Sequence, residues 1–217
     1  MLSTSIRRKQ IAAAGLDIVA SEGLAALSIA RIAGVIGVVP SALYRHHHSK
    51  DGIILAVLDL ISERLLQNVK EAARGRGHSR AALKRLLDRH VQMLQKTPGI
   101  PRLVFSDEIF QGQPVIRKRL FQLMSTYLSA VADLISEGQS QGSIRRDLPP
   151  KTGAVMFLGL VQPAAILELM SDGAFDTEAH VRSAWKFFEG MLRMTPDQAG
   201  NPATVERQTK AKGNRKL

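Results

Sequence analysis

The chain has 217 residues, 45% of them apolar, enough for one large domain or two modest ones with a real core. It contains no cysteine, which excludes disulfides, zinc-thiolate sites and thiol catalysis. A formal net charge of +11 suits a polyanionic partner, nucleic acid first and an anionic membrane second.

That charge gathers at the two ends. Residues 1–50 hold Arg7, Arg8, Lys9, Arg31, Arg45 and Lys50 against Asp17 and Glu22, and residues 195–217 hold five basic side chains against Asp197 and Glu206. Met1–Lys9 runs straight into charge with no apolar stretch behind it, so no secretory leader is expected and the protein reads as cytoplasmic. Helical periodicity recurs along the chain and strand-like alternation does not. Ile11, Ala14, Ile18 and Val19 form a first stripe, with Gly23 as its stop. Ser28 reads as an N-cap for a helix from Ile29 to about Val35, and a short turn follows around Ile36-Gly37-Val38. Pro40 suits the first turn of a third short helix through about His46. Ser49 caps a long fourth helix, Lys50 to about Arg74.

Gly75-Arg-Gly-His78 reads as a loop, and Ser79–Lys96 as the next helix. Thr97-Pro98-Gly99 breaks the chain before a helix over Ile100–Phe110, and Gly112-Gln-Pro114 separates that from a long one, Val115 to about Gln141. Lys151–Ser171 and Thr177–Arg193 are the last two. The apolar stretch Gly153–Met170 is interrupted by Gln162, Pro163 and Glu168, so it reads as a buried helix rather than a membrane span of roughly 20 residues, and no membrane partner is expected. Pro163 should kink it and free the carbonyl near Gly159. Residues 195–217 are polar and basic and read as a disordered tail. The expectation is an all-α protein of about nine helices: a three-helix helix-turn-helix module over residues 1–50 on a larger ligand-binding and dimerisation bundle over 51–194.

Two helices joined by a tight turn, the second short and polar, form the helix-turn-helix pattern. Ile32, Ala33, Gly37 and Leu43 have the spacing that seats such a pair. The run Ile32-Ala33-Gly34-Val35-Ile36-Gly37-Val38-Val39-Pro40-Ser41-Ala42-Leu43-Tyr44-Arg45-His46-His47-His48-Ser49-Lys50 resembles the signature of the TetR/AcrR family with no insertion, and the close match covers about residues 7–58. Three positions depart from it: Ile36 stands for a small alanine, Val39 for Ser or Thr, and His47 for Phe. The resemblance implies a DNA-binding regulator, most often a repressor, acting as a dimer on a palindromic operator and answering to a small-molecule effector of unknown identity. It places Tyr44, His46 and Lys50 on phosphates. Ser28, at a helix N-terminus, can cap, offer a hydroxyl to phosphate, or both. Ser41 and Arg45 are candidates for base edges, with a phosphate clamp or a solvated surface charge as the other readings of Arg45. Val39 cannot make the family's hydroxyl contact; it offers apolar contact to a thymine methyl, and Pro40 stands beside it among the readers. Arg7, Arg8 and Lys9 could follow the backbone or enter a minor groove.

Phe105, Phe110, Arg117, Met124, Tyr127, Phe157 and Gln162 are the candidate lining of an effector pocket, with bundle core as the alternative for the apolar ones, as it is for Phe121 and Met156. Tyr44 has the same alternative, a core aromatic with a wet hydroxyl. His46-His47-His48 does not read as a metal site, because consecutive helical residues diverge by about 100°. Asp107 and Glu108 lack a matching nucleophile or metal cluster, so no enzyme, catalytic residue or cofactor is expected. Helices 151–171 and 177–193 carry apolar residues on more than one side, including Leu158, Val161, Leu169, Phe187, Phe188 and Leu192, and are the expected homodimer interface.

Overall fold

The computed structural model describes residues 4–46, 49–75 and 77–193, and these form an all-helical chain. The basic tail at 195–217 and the pair His47-His48 lie outside the described residues. The N-terminal module is α1 (Thr4–Glu22), a single 3₁₀ turn (Leu24–Ala26), α2 (Ile29–Ile36) and α3 (Pro40–Tyr44). The larger body follows with α4 (Lys50–Arg74), α5 (Ser79–Lys96), α6 (Gly99–Val104), α7 (Asp107–Gln111), α8 (Pro114–Ser140), α9 (Pro150–Gly159), α10 (Gln162–Met170) and α11 (Thr177–Leu192).

The local chemistry sets most boundaries. Gly23 and Gly37 take positive φ angles of 84° and 75°, which a side chain would resist, and each ends the helix before it. Ser28 and Ser49 accept the Arg31 and Gly52 N–H groups at 3.1 Å and so cap α2 and α4.

Two expected helices are each broken in two. Over 99–111 the break falls at Ser106, whose backbone is extended and whose hydroxyl donates to the Leu103 carbonyl at 2.8 Å, an alternative to continuing the helix. Over 150–170 it falls at Leu160-Val161, because Pro163 has no N–H for the Gly159 carbonyl; the expected kink is a full interruption. The segment is apolar enough by composition to cross a membrane, but its two helices of ten and nine residues are each too short to do so. The third helix ends at Tyr44, two residues before the expected His46, so Arg45 is its C-cap.

One apolar cluster runs from Ile11 in α1 to Leu192 in α11. α4 is its spine, packed against α1 on one side and against α5 and α8 on others. Ile11, Leu16 and Val19 of α1 and Ile53, Val57 and Ile61 of α4 all belong to that cluster, and the two helices pack on each other, so the module is seated on the body through an apolar contact. α1 also packs on α6, where Gly99 lies so close that an added Cβ would stand 2.2 Å from the Leu16 carbonyl oxygen. Two residues read as core, Phe121 and Met156, are exposed instead, on outward faces of α8 and α9.

Candidate functional site

The recognition surface follows from how α2 and α3 meet. Ile32 and Ala33 of α2 and Leu43 of α3 are buried and face each other, and the Gly37 and Val38 N–H groups both bond to the Ala33 carbonyl at 2.9 and 3.0 Å. That turn holds α3 with its other face in solvent. Val39 is 65% exposed and Tyr44 49% exposed, and Pro40, Ser41 and Arg45 are exposed beside them. Ser41 and Arg45 are four residues apart in right-handed helical geometry, so they share one face of α3. Arg45 has no acidic partner among the described residues, which leaves its guanidinium open to a base edge or a phosphate. Arg31, by contrast, is committed to Glu22: its Nε donates to both carboxylate oxygens at 3.0 Å, and this pairing holds the Glu22 carboxyl below the usual carboxylate range.

The phosphate candidates ring this surface. The Ser28 hydroxyl already accepts a backbone N–H, which leaves its own proton to donate outward. His46 is half-buried, and its Nδ1 is enclosed without a partner among the described residues, so Nε2 is the nitrogen left to reach out. Lys50, in the first turn of α4, lies 3.5 Å from Glu108 of α7, an ion pair that a phosphate must displace or share. Arg7 bonds to Gln10, and Lys9 is paired at 2.5 Å with Glu63 of α4, so Lys9 faces the body rather than a groove.

A second site lies inside the body, an apolar cavity of about 50 Å³ bounded by α4, α5, α6, α8, α9 and α10. Of the residues read as pocket lining, Phe105, Met124, Tyr127 and Gln162 come together on its wall. The other three do not: Phe110 is exposed on α7, Arg117 donates to the Phe110 carbonyl at 2.9 Å, and Phe157 is fully buried with its ring 6.0 Å from that of Phe188. The sequence reading missed His90, whose Nδ1 lies 3.0 Å from the Tyr127 hydroxyl, with the rings edge to face at 88°. Its signal was present: a lone histidine on the apolar stripe Leu83, Leu86, Leu87, Leu94 of α5. Burial pushes the His90 pKa down to about 4 and that of Tyr127 up, so both stay neutral. The cavity is far below the roughly 300–1,000 Å³ of a pocket holding a drug-sized ligand. A guest must therefore push its walls apart, and α4 and α6 among those walls also carry α1.

An exposed recognition helix on a helix-turn-helix, borne by a helical body, defines a DNA-binding transcriptional regulator. The chain belongs to the TetR family. The pattern of bacterial regulatory proteins of the tetR family matches residues 11–57, and that of the C-terminal region of YsiA-like proteins matches residues 61–190. It is similar to the fatty acid metabolism regulator protein of Bacillus subtilis (strain 168), 19% identical over 170 residues that cover 78% of this chain and 87% of that one. It is also similar to the nucleoid occlusion factor SlmA of Pasteurella multocida (strain Pm70), 20% identical over 187 residues covering 86% and 94% of the two chains. Among solved structures, the transcriptional regulator FadR of Bacillus subtilis in complex with stearoyl-CoA superposes with a TM-score of 0.73 at 18% identity, covering 85% of this chain and 98% of that one. At that identity the likeness shows the fold.

Proposed function

We propose that the protein is a homodimeric repressor that leaves a palindromic operator when an apolar or amphipathic small molecule, a long-chain acyl thioester foremost, enters the body. In this reading residues 1–50 read DNA in the cytoplasm, and 51–194 hold the effector and the partner subunit. The observation that carries it is the shared wall: α4 and α6 line the cavity and also pack on α1. A guest larger than the cavity moves those two helices, and the readers move with them. The acyl class is supported by the apolar lining and by the stearoyl-CoA complex of the structurally similar regulator.

For the homodimer, the support is Phe187 on α11 and Met170 on α10, exposed by 82% and 76%. The interface is narrower than the sequence suggests, because Leu158, Val161, Phe188 and Leu192 are buried within the protomer itself and Leu169 is half-buried.

The test is a titration of a selected operator duplex with and without stearoyl-CoA. Loss of operator affinity is expected. An affinity that no acyl thioester of any chain length changes overturns the effector part of the proposal.

A further inference from the structure

The cavity wall holds one polar pair, and its surroundings make that pair selective. The lining includes Leu65, Met93, Val104, Phe105 and Leu123, and among the described residues it contains no lysine, arginine or carboxylate. His90 and Tyr127 project into this setting from α5 and α8. Burying two polar side chains among apolar ones is costly unless their hydrogen-bonding capacity is used. Among the described residues, each has the other as its only side-chain hydrogen-bond partner. The inventory is short: a neutral imidazole has one donor and one acceptor, and a phenol has one donor and its oxygen lone pairs. Whichever tautomer is present, the shared bond leaves a single N–H or O–H donor and at least one acceptor unspent. Gln162, on the same wall, adds an amide.

We infer that His90 and Tyr127 select the effector by charge state: they hold the uncharged polar group of an amphipath, such as an ester, thioester, amide or alcohol, and reject the free carboxylate of the same chain. This rests on the effector reading above and deepens it. A carbonyl or hydroxyl can take the one remaining donor and lose little on leaving water. A carboxylate leaves water at far greater cost, and here it meets no cation, because burial keeps His90 neutral down to about pH 4. The apolar wall attracts both chains equally, so discrimination falls to the head group: the cation-free wall penalises it as a carboxylate, and the pair holds it when it is neutral.

Three probes of matched length, 1-decanol, methyl decanoate and decanoate, are titrated by calorimetry into the full-length protein at neutral pH. The two neutral probes should bind about tenfold or more tighter than decanoate. Tyr127→Phe deletes only the hydroxyl, and His90→Gln keeps a neutral donor while changing its geometry. Tyr127→Phe should shrink the preference by weakening the neutral probes, whereas His90→Gln should keep it in part, an outcome that a purely structural role for the pair does not produce. Parity of the three probes on the wild-type protein, or a preference for decanoate, overturns the inference and leaves the effector reading standing. If none of the three binds, and hexadecyl analogues bind no better, the effector reading fails and the inference falls with it. Either variant's failure to fold leaves the wild-type ratio to decide.

Discussion

Gly99→Ala should loosen the joint between the cavity and the DNA module. Gly99 is the first residue of α6, and a Cβ there would stand 2.2 Å from the Leu16 oxygen and 3.0 Å from the Leu16 carbonyl carbon of α1. Both are backbone atoms, so no side chain can swing aside, and the helices must part by about 1 Å to reach ordinary contact. Overpacking of this kind costs about 1–3 kcal/mol. Alanine's helix preference returns up to about 1 kcal/mol, less at a first-turn position, so the net loss should be about 1–2 kcal/mol. With a urea slope of about 2 kcal/mol/M, the unfolding midpoint should fall by roughly 0.5–1 M at matched protomer concentration. Ile100 and Pro101, the next two residues, line the cavity, so the variant should also bind operator more weakly with no effector present. An equal or higher midpoint, with operator affinity intact, would refute the close-contact argument.

Acid should strip away the contribution of the buried histidine. The folded pKa of His90, about 4, lies below its ordinary value of 6.5, so the unfolded chain takes the proton first. The stability this withholds is fully present above pH 6.5 and is lost as pH falls toward 4, about 3 kcal/mol in all. Urea titrations across that window should show a shallower decline for His90→Gln than for wild type, and parallel curves would contradict it. Arg45→Ala should cost about 1–3 kcal/mol per half-site on the preferred operator and relax choice at one base pair, read by titrating operators varied one pair at a time. Lys50→Ala should weaken all duplexes by similar factors and lower the salt slope by about one unit per half-site. If α11 forms the proposed interface, wild type should scatter light as a dimer and Phe187→Glu as a monomer, because the substitution sets a charge on the most exposed large apolar side chain of α11.

Capping and turn chemistry made the DNA module legible in the sequence. Ser28, Gly37, Pro40 and Ser49 act locally, and all four sit where their residue types place them. The breaks at Ser106 and Leu160-Val161 were harder to read. A serine is tolerated inside many helices, and a proline signals a kink without saying whether the helix resumes. The cavity was half legible, for a physical reason. Aromatic and Met residues mark core and pocket alike, and only the packing of α8 against α9 and of α9 onto α11 sends Phe157 to one and Met124 to the other. His90 stayed hidden because its meaning depends on Tyr127, 37 residues away in sequence. The partner of Lys9 is likewise 54 residues distant, which is why a basic N-terminal run read as a DNA contact while one of its members faces α4.

Selection of bound sequences from a pool of random duplexes, using the full-length protein at moderate salt, tests the central claim most directly. The enriched sequences should share one two-fold symmetric motif with half-sites about one helical turn or a multiple apart, and Arg45→Ala should enrich a motif degenerate at one position of each half-site. Enrichment of no motif, with near-equal affinity for unrelated duplexes, would show that the protein binds by charge alone and would contradict the account.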